Sequence, residues 1–141
     1  MPFTYAYPRP AMTVDALVFS NGKNKVLLIQ RGNPPFKDQW ALPGGFVGME
    51  ETLEEAVVRE LYEETGLNDL RLEQFHAFSA PDRDPRHRTI SVVFVGYISQ
   101  NEYRPRAGDD ARDVEWFSID NLPPLAFDHR EIIEMAIREL K

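Results

Sequence analysis

Residues 53–65, LEEAVVRELYEET, follow a helical period yet gather Glu60, Glu63 and Glu64 in the half of the helix that least favours them. Thr52 and Glu55 read as a capping box and Gly66 suits a left-handed stop, so a helix is expected from about Leu53 to Thr65. At about 100° per residue, Leu53, Ala56, Val57 and Leu61 form an apolar arc suited to packing on a sheet. Glu60 and Glu64 fall inside that arc and Glu63 on its border. Carboxylates aimed at a core are costly unless compensated. Glu60 and Glu64 also repel at four residues' spacing, and the helix macrodipole favours cations at its C-terminal end. The last two effects are each roughly a few tenths of a kcal/mol to about one at exposed positions. A solvated acidic helix is the bland explanation. A hard divalent cation turns the repulsion into coordination, since magnesium prefers carboxylate and phosphate oxygens, and it is the preferred one. Arg59, one turn from Glu55 and Glu63, is expected either in an intrahelical ion pair or orienting a carboxylate such as Glu51.

A net charge of −7 argues against broad binding to extended nucleic acid, which usually needs a basic face. It is equally hostile to phosphates unless the acidic groups hold metal ions. No apolar run is long enough to span a bilayer, so no membrane partner is expected. Cysteine is absent, which removes disulfides, thiolate metal sites and cysteine nucleophiles. The N-terminus lacks a basic start and a continuous apolar stretch, so it does not read as a secretory signal, and a cytoplasmic location is expected.

With 141 residues and no repeat or composition shift, a single domain over 1–141 is expected, with the proline-rich residues 1–10 as an extended arm. Residues 12–20 and 25–31 read as strands joined through Asn21-Gly22. Residues 32–40 read as a loop because Pro34-Pro35 cannot donate to a ladder, and residues 40–45 as a glycine turn leading to the helix. Further strands are expected at about 70–80 and 88–99, the second covered on both faces. A second helix is expected from about His129 to Leu140, capped by Asp128 and Glu131, with Ile132, Ile133, Ala136, Ile137 and Leu140 on its packing face. The natural architecture is α/β, a mixed sheet between helices.

The run from Gly45 through Glu51, Arg59, Glu60, Glu63 and Glu64 to Gly66-Leu67 resembles the Nudix box. That pattern is a glycine, five residues, a glutamate, seven residues, then Arg-Glu-apolar-any-Glu-Glu-any-Gly-apolar, and every fixed position is matched. The resemblance implies a Nudix fold, an α/β/α sandwich with a mixed central sheet, and hydrolysis of a nucleoside diphosphate linked to another group. It implies Glu60 and Glu64 as principal metal ligands, joined by Glu63, Glu51 and the Gly45 carbonyl, with Glu63, Glu64 and Arg59 in the catalytic set. The implied cofactor is magnesium, with manganese as a substitute. Metal ions would neutralise the pyrophosphate and acidify a water, which a carboxylate deprotonates. Glu63 is one candidate base. Asp109 and Asp110, in the later loop 108–115, are others, although turn chemistry accounts for them too.

The segment 79–88, stiffened by two prolines, carries Arg83, Arg86 and Arg88, a clamp for phosphate or ribose or else simply a charged hairpin loop. Together with Arg31 and the later Leu125-Ala126-Phe127-Asp128-His129, it is similar to ADP-ribose pyrophosphatases. This makes Arg31, Arg83, Arg86 and Arg88 the substrate-contact candidates and a small nucleotide the expected partner. For His129 a packing or capping role is expected. Phe3, Tyr5, Tyr7, Phe36 and Trp40 could stack on a base, though such aromatics more often pack. A nucleotide-sanitising enzyme acting on triphosphates is one alternative. A ligand-sensing domain of a transcription regulator is another, disfavoured by the complete box and by a last helix that ends at Lys141 without space for a winged helix. Relatives are often dimers, and the aromatic arm could reach a partner subunit in a homodimer.

Overall fold

The computed structural model describes residues 2–103 and 111–140. Strand β1 (Ala11–Ser20) turns through Asn21-Gly22 into β2 (Lys25–Arg31), with Gly22 at φ 88° and Lys23 at φ 60°. Short strands β3 (Trp40–Ala41) and β4 (Gly44–Phe46) precede helix α1 (Leu53–Thr65). Then come β5 (Glu73–Phe78), β6 (Thr89–Ile98), β7 (Ala111–Ser118) and helix α2 (His129–Glu139).

The sheet runs β3-β2-β1-β6-β5, with β4 added to β1 and β7 to β2. It is mixed: β1 and β6 are parallel from Ala11↔Thr89 to Ser20↔Ile98, and the other ladders are antiparallel. Alternation along β1 sorts its side chains between two cores. Val14, Ala16 and Val18 pack with Ala56, Val57 and Leu61 of α1, while Leu17 and Phe19 pack with Ile132, Ile133 and Ala136 of α2. One helix therefore covers each face, the expected three-layer arrangement. Phe94 faces the first core and Val93 and Val95 the second, which explains why β6 is apolar on both alternating faces.

What positions the site is a split in this sheet. Near its end β1 pairs with β2, at Phe19↔Val26, but at its start Thr13–Asp15 pair with Gly44–Phe46 of β4. Beyond the split, β2 takes up β3 at Ile29↔Ala41 and Gln30↔Trp40, while β7 accompanies it along its whole length. Diverging strands open a crevice that side chains from both walls can line, the usual place for a ligand in an α/β sheet.

Several segments differ from the sequence expectation, Trp40–Ala41 of β3 among them. Gly44–Phe46 is a strand rather than a turn, held by its ladder to β1. Ala111–Glu115, expected in a loop, belongs to β7, paired to β2 along Lys25↔Ser118 to Arg31↔Ala111. Asp128 stands at the N-cap of α2 but makes no side-chain cap hydrogen bond, because its carboxylate is held by Arg83. No helix among the described residues is long and apolar enough to cross a membrane.

Candidate active site

Helix α1 forms as its local chemistry dictates. The Thr52 hydroxyl accepts from the Glu55 N–H at 3.0 Å, the Glu55 carboxylate accepts from the Thr52 N–H at 2.9 Å, and Gly66 stops the helix at φ 75°. Its inward face carries Glu60 and Glu64 into the crevice, Glu64 buried and Glu60 with 15% of its side chain exposed. Glu63, at 39%, lies on the same rim.

Arg59 organises this acidic face. Its Nε and Nη2 meet both oxygens of Glu51, Nη1 reaches Glu60 at 2.7 Å and Glu63 at 3.1 Å, and Nη2 also donates to the Phe46 carbonyl. The two readings considered for Arg59 thus coexist. Hydrogen bonds from Arg59, then from the Gly48 N–H, hold the Glu51 carboxyl down to about 2. Glu60 moves the other way: burial lifts it above the usual carboxylate range despite Arg59.

Opposite α1, the crevice floor is polar and was not foreseen. Asp15, in the middle of β1, accepts from the Ser91 hydroxyl at 2.5 Å and stands 3.7 Å from Nε2 of His129. All three are buried. The signal in the sequence was a lone carboxylate inside the apolar run MTVDALVFS. His129 Nδ1 accepts the Leu42 N–H at 3.0 Å, which ties α2 to the turn before β4, and burial keeps its pKa below the ordinary imidazole value. Across that turn, the Gly44 N–H donates to Glu64 at 2.7 Å. These bonds fix the β4 backbone against α1 closely enough that a Cβ on Gly45 would lie 2.0 Å from a Glu60 oxygen.

The remaining wall is cationic and aromatic. The cleft, about 440 Å³, brings Arg31, Arg83 and Arg86 together with Phe46 and Phe127. Arg83 is buried in a two-pronged pair with Asp128 at 2.9 and 2.7 Å. Arg86 is paired with Asp84 through Nε at 3.1 Å and Nη2 at 2.8 Å. Arg31 donates Nε to the Pro35 carbonyl at 2.7 Å, and it is the one cleft arginine with no carboxylate partner among the described residues. Arg88 is exposed, donates to the Ser79 carbonyl and does not line the cleft. Asp109 and Asp110 lie outside the described residues. Of the aromatics considered for base stacking, Phe3, Tyr5 and Tyr7 are exposed away from the cleft, Trp40 packs on Phe117, and Phe36 packs on Phe127.

Hard oxygen donors from Glu60, Glu63, Glu64 and the Gly45 carbonyl suit a magnesium-type cation. The absence of a Cβ at Gly45, where one would strike the Glu60 carboxylate, lets that carboxylate stand against the β4 backbone. Among the described residues no three His, Cys, Asp or Glu side chains stand as a finished metal cage. The guanidinium of Arg59 is the cation that contacts Glu60 and Glu63. The donor chemistry fits the metal, and coordination requires these carboxylates to reorient.

A model of the NUDIX domain matches residues 9–136. The chain is 50% identical over 132 residues to an ADP-ribose pyrophosphatase of Methanocaldococcus jannaschii, covering 94% of this chain and 76% of that one. Among solved structures, the NUDIX domain of Shewanella oneidensis NrtR in complex with ADP ribose matches at TM-score 0.86 and 35% identity, covering 96% of this chain and 92% of that one. A bifunctional NMN adenylyltransferase/ADP ribose pyrophosphatase from Francisella tularensis, in complex with AMP and a manganese ion, matches at TM-score 0.82 and 37% identity. That match covers 97% of this chain but 44% of the larger protein.

Proposed function

This chain belongs to the NUDIX domain family, and on that premise we propose that it hydrolyses the pyrophosphate bond of ADP-ribose to give AMP and ribose 5-phosphate. The reaction class follows from the family: the chain is a pyrophosphohydrolase. The observation that carries the substrate reading is a cleft with two chemical ends, carboxylates on α1 facing arginines from β2 and the 79–88 segment. A pyrophosphate flanked by two sugars needs both ends. The relatives named for ADP-ribose support the choice within that class.

Glu60, Glu64, Glu63 and the Gly45 carbonyl are the groups that would hold magnesium or manganese, with Glu51, both of whose oxygens are bound by Arg59, supporting them from outside the cleft. Bound there, the metal would supply charge neutralisation of the pyrophosphate and acidification of the attacking water. The protein's own groups do the rest. Arg31 and Arg86 grip phosphate oxygens and orient the diphosphate, while Arg83, engaged by Asp128, shapes the wall. Arg59 holds Glu51 and aligns Glu60. Glu63, the most exposed of the three glutamates, takes the proton of the attacking water, a role for which Asp109 and Asp110 are the competing candidates. Water adds its oxygen to one phosphorus, the bridging P–O bond breaks, and the second phosphate leaves with that bridging oxygen. The substrate is a small molecule rather than extended nucleic acid, the chain works in the cytoplasm as one domain, and a homodimer built through the N-terminal arm is part of the proposal.

The test is a panel of nucleoside diphosphate sugars, dinucleotides and deoxynucleoside triphosphates compared by kcat/KM with magnesium. ADP-ribose is expected to lead. Preference for triphosphates would replace the substrate while keeping the reaction class. Tight ADP-ribose binding without turnover would move the chain to ligand sensing.

A further inference from the structure

The cleft arginines differ in how their charge is answered. Arg86 has Asp84 and Arg83 has Asp128, whereas Arg31 sits beside Arg86 with its Nη groups lacking any hydrogen-bond partner among the described residues. Burial, then the neighbouring Arg86 charge, lower its pKa against the opposing pull of Glu64, Asp84 and Asp15, none of which hydrogen-bonds to it. What faces Arg31 is a ring. Its guanidinium carbon lies 5.1 Å from the centre of Phe127, and that of Arg86 lies 5.7 Å from the same centre. The face of an aromatic ring attracts a guanidinium through its quadrupole. Unlike a carboxylate, it offers no acceptor to compete with substrate oxygens for the N–H groups.

The ring is held there against local preference. Phe127 adopts φ 53°, and Phe36, which meets it edge-on at 4.8 Å, adopts φ 59°. Bulky residues in the left-handed region are strained and persist where their surroundings over-determine them. The flanking bonds do so here. The Ala126 N–H donates to the Trp40 carbonyl at 2.8 Å, Asp128 is gripped by Arg83, and His129 is pinned to the Leu42 N–H. Fastenings on both sides, at Ala126 and at Asp128 and His129, leave the residue between them little choice but to put its ring in the cleft.

We propose that Phe127 is a positioning residue for anion recognition, whose ring stands in for a counter-ion and keeps Arg31 aimed at the substrate's diphosphate. The proposal rests on the pyrophosphohydrolase reading and adds to it the element that prepares the basic end of the cleft.

A double-mutant cycle on Phe127→Leu and Arg31→Gln tests it, read by ADP-ribose kinetics and by calorimetric titration with inorganic pyrophosphate, both with magnesium. Phe127→Leu is expected to raise KM and the pyrophosphate Kd on the order of tenfold, the scale of a desolvated cation–π contact, with a smaller change in kcat. In the Arg31→Gln background most of that loss should vanish, leaving only the share carried by Arg86 on the same ring, and Phe127→Tyr, which keeps the ring, should restore near-normal values. A merely structural role predicts independent, additive losses. Additivity, or unchanged KM and Kd in Phe127→Leu, overturns the proposal. If Phe127→Leu does not fold, Phe127→Met runs the same cycle with the same two outcomes. A chain that ignores ADP-ribose yet shows the non-additive loss of pyrophosphate affinity overturns the substrate reading and upholds the role of Phe127.

Discussion

Arg59 and Glu51, eight residues apart, meet through two parallel hydrogen bonds, Nε to Oε2 at 2.5 Å and Nη2 to Oε1 at 2.8 Å. This fork clips the loop before α1 onto the helix's own second turn and leaves Nη1 for Glu60 and Glu63. A lysine has charge but no planar fork. Arg59→Lys is therefore expected to lower kcat more than tenfold, the scale on which such supporting contacts act, with the fold intact by circular dichroism. Activity equal to wild type would mean that the fork does not align the acidic face.

Adjacent glycines should behave differently. A Cβ on Gly44 would meet the Val14 carbonyl oxygen at 2.2 Å, which is backbone, whereas one on Gly45 would meet the end of the Glu60 side chain at 2.0 Å. Gly44→Ala should lower Tm, because β4 must separate from β1. Gly45→Ala should leave Tm nearly unchanged and remove activity by displacing the carboxylate. Equal effects of the two on Tm would contradict this division.

His129 supplies a pH dependence of stability. Burial, outweighing the pull of Asp15, depresses its folded pKa below the ordinary value near 6.5. The unfolded chain then takes up a proton that the folded chain refuses, so this contribution is present above pH 6.5 and is lost as pH falls below it. Urea unfolding at pH 7.5 and 5.5, about one unit either side, should show a drop that His129→Gln reduces. Identical drops in both proteins would assign the acid sensitivity elsewhere.

Much of α1 was legible in the sequence because its determinants are local: Thr52, Glu55 and Gly66 set its ends, and Leu53 to Leu61 set its face. Strands β4 and β7 were not, since GGF and ARDVEWFS carry no clear alternation and become strands only by pairing with β1 and β2. The polar floor was hidden for a related reason. Asp15 finds Ser91 across 76 positions, and no periodicity announces that meeting. Asp128 looked like a helix cap because local spacing said so, but a guanidinium 45 residues earlier is the stronger partner for a buried carboxylate.

That partner makes a further prediction. Arg83 and Asp128 are both largely buried, with side-chain exposures of 4% and 11%. Removing one member of a buried pair strands the other, at a cost of about 3–5 kcal/mol. Arg83→Met should destabilise on this scale, and Asp128→Leu added to it should recover most of the loss. A fully stable Arg83→Met with weakened substrate binding would instead make Arg83 a direct ligand.

The proposed chemistry is cleavage of a pyrophosphate bond by the carboxylates of α1 with a divalent cation. Its most direct test is the hydrolysis of ADP-ribose with magnesium by wild type, Glu60→Gln and Glu64→Gln, with products separated and identified. Wild type should yield AMP and ribose 5-phosphate, and both variants should lose at least two orders of magnitude in rate, on the scale of general-base and metal-site losses, while unfolding as cooperatively as wild type. Unchanged rates in both variants would contradict the account.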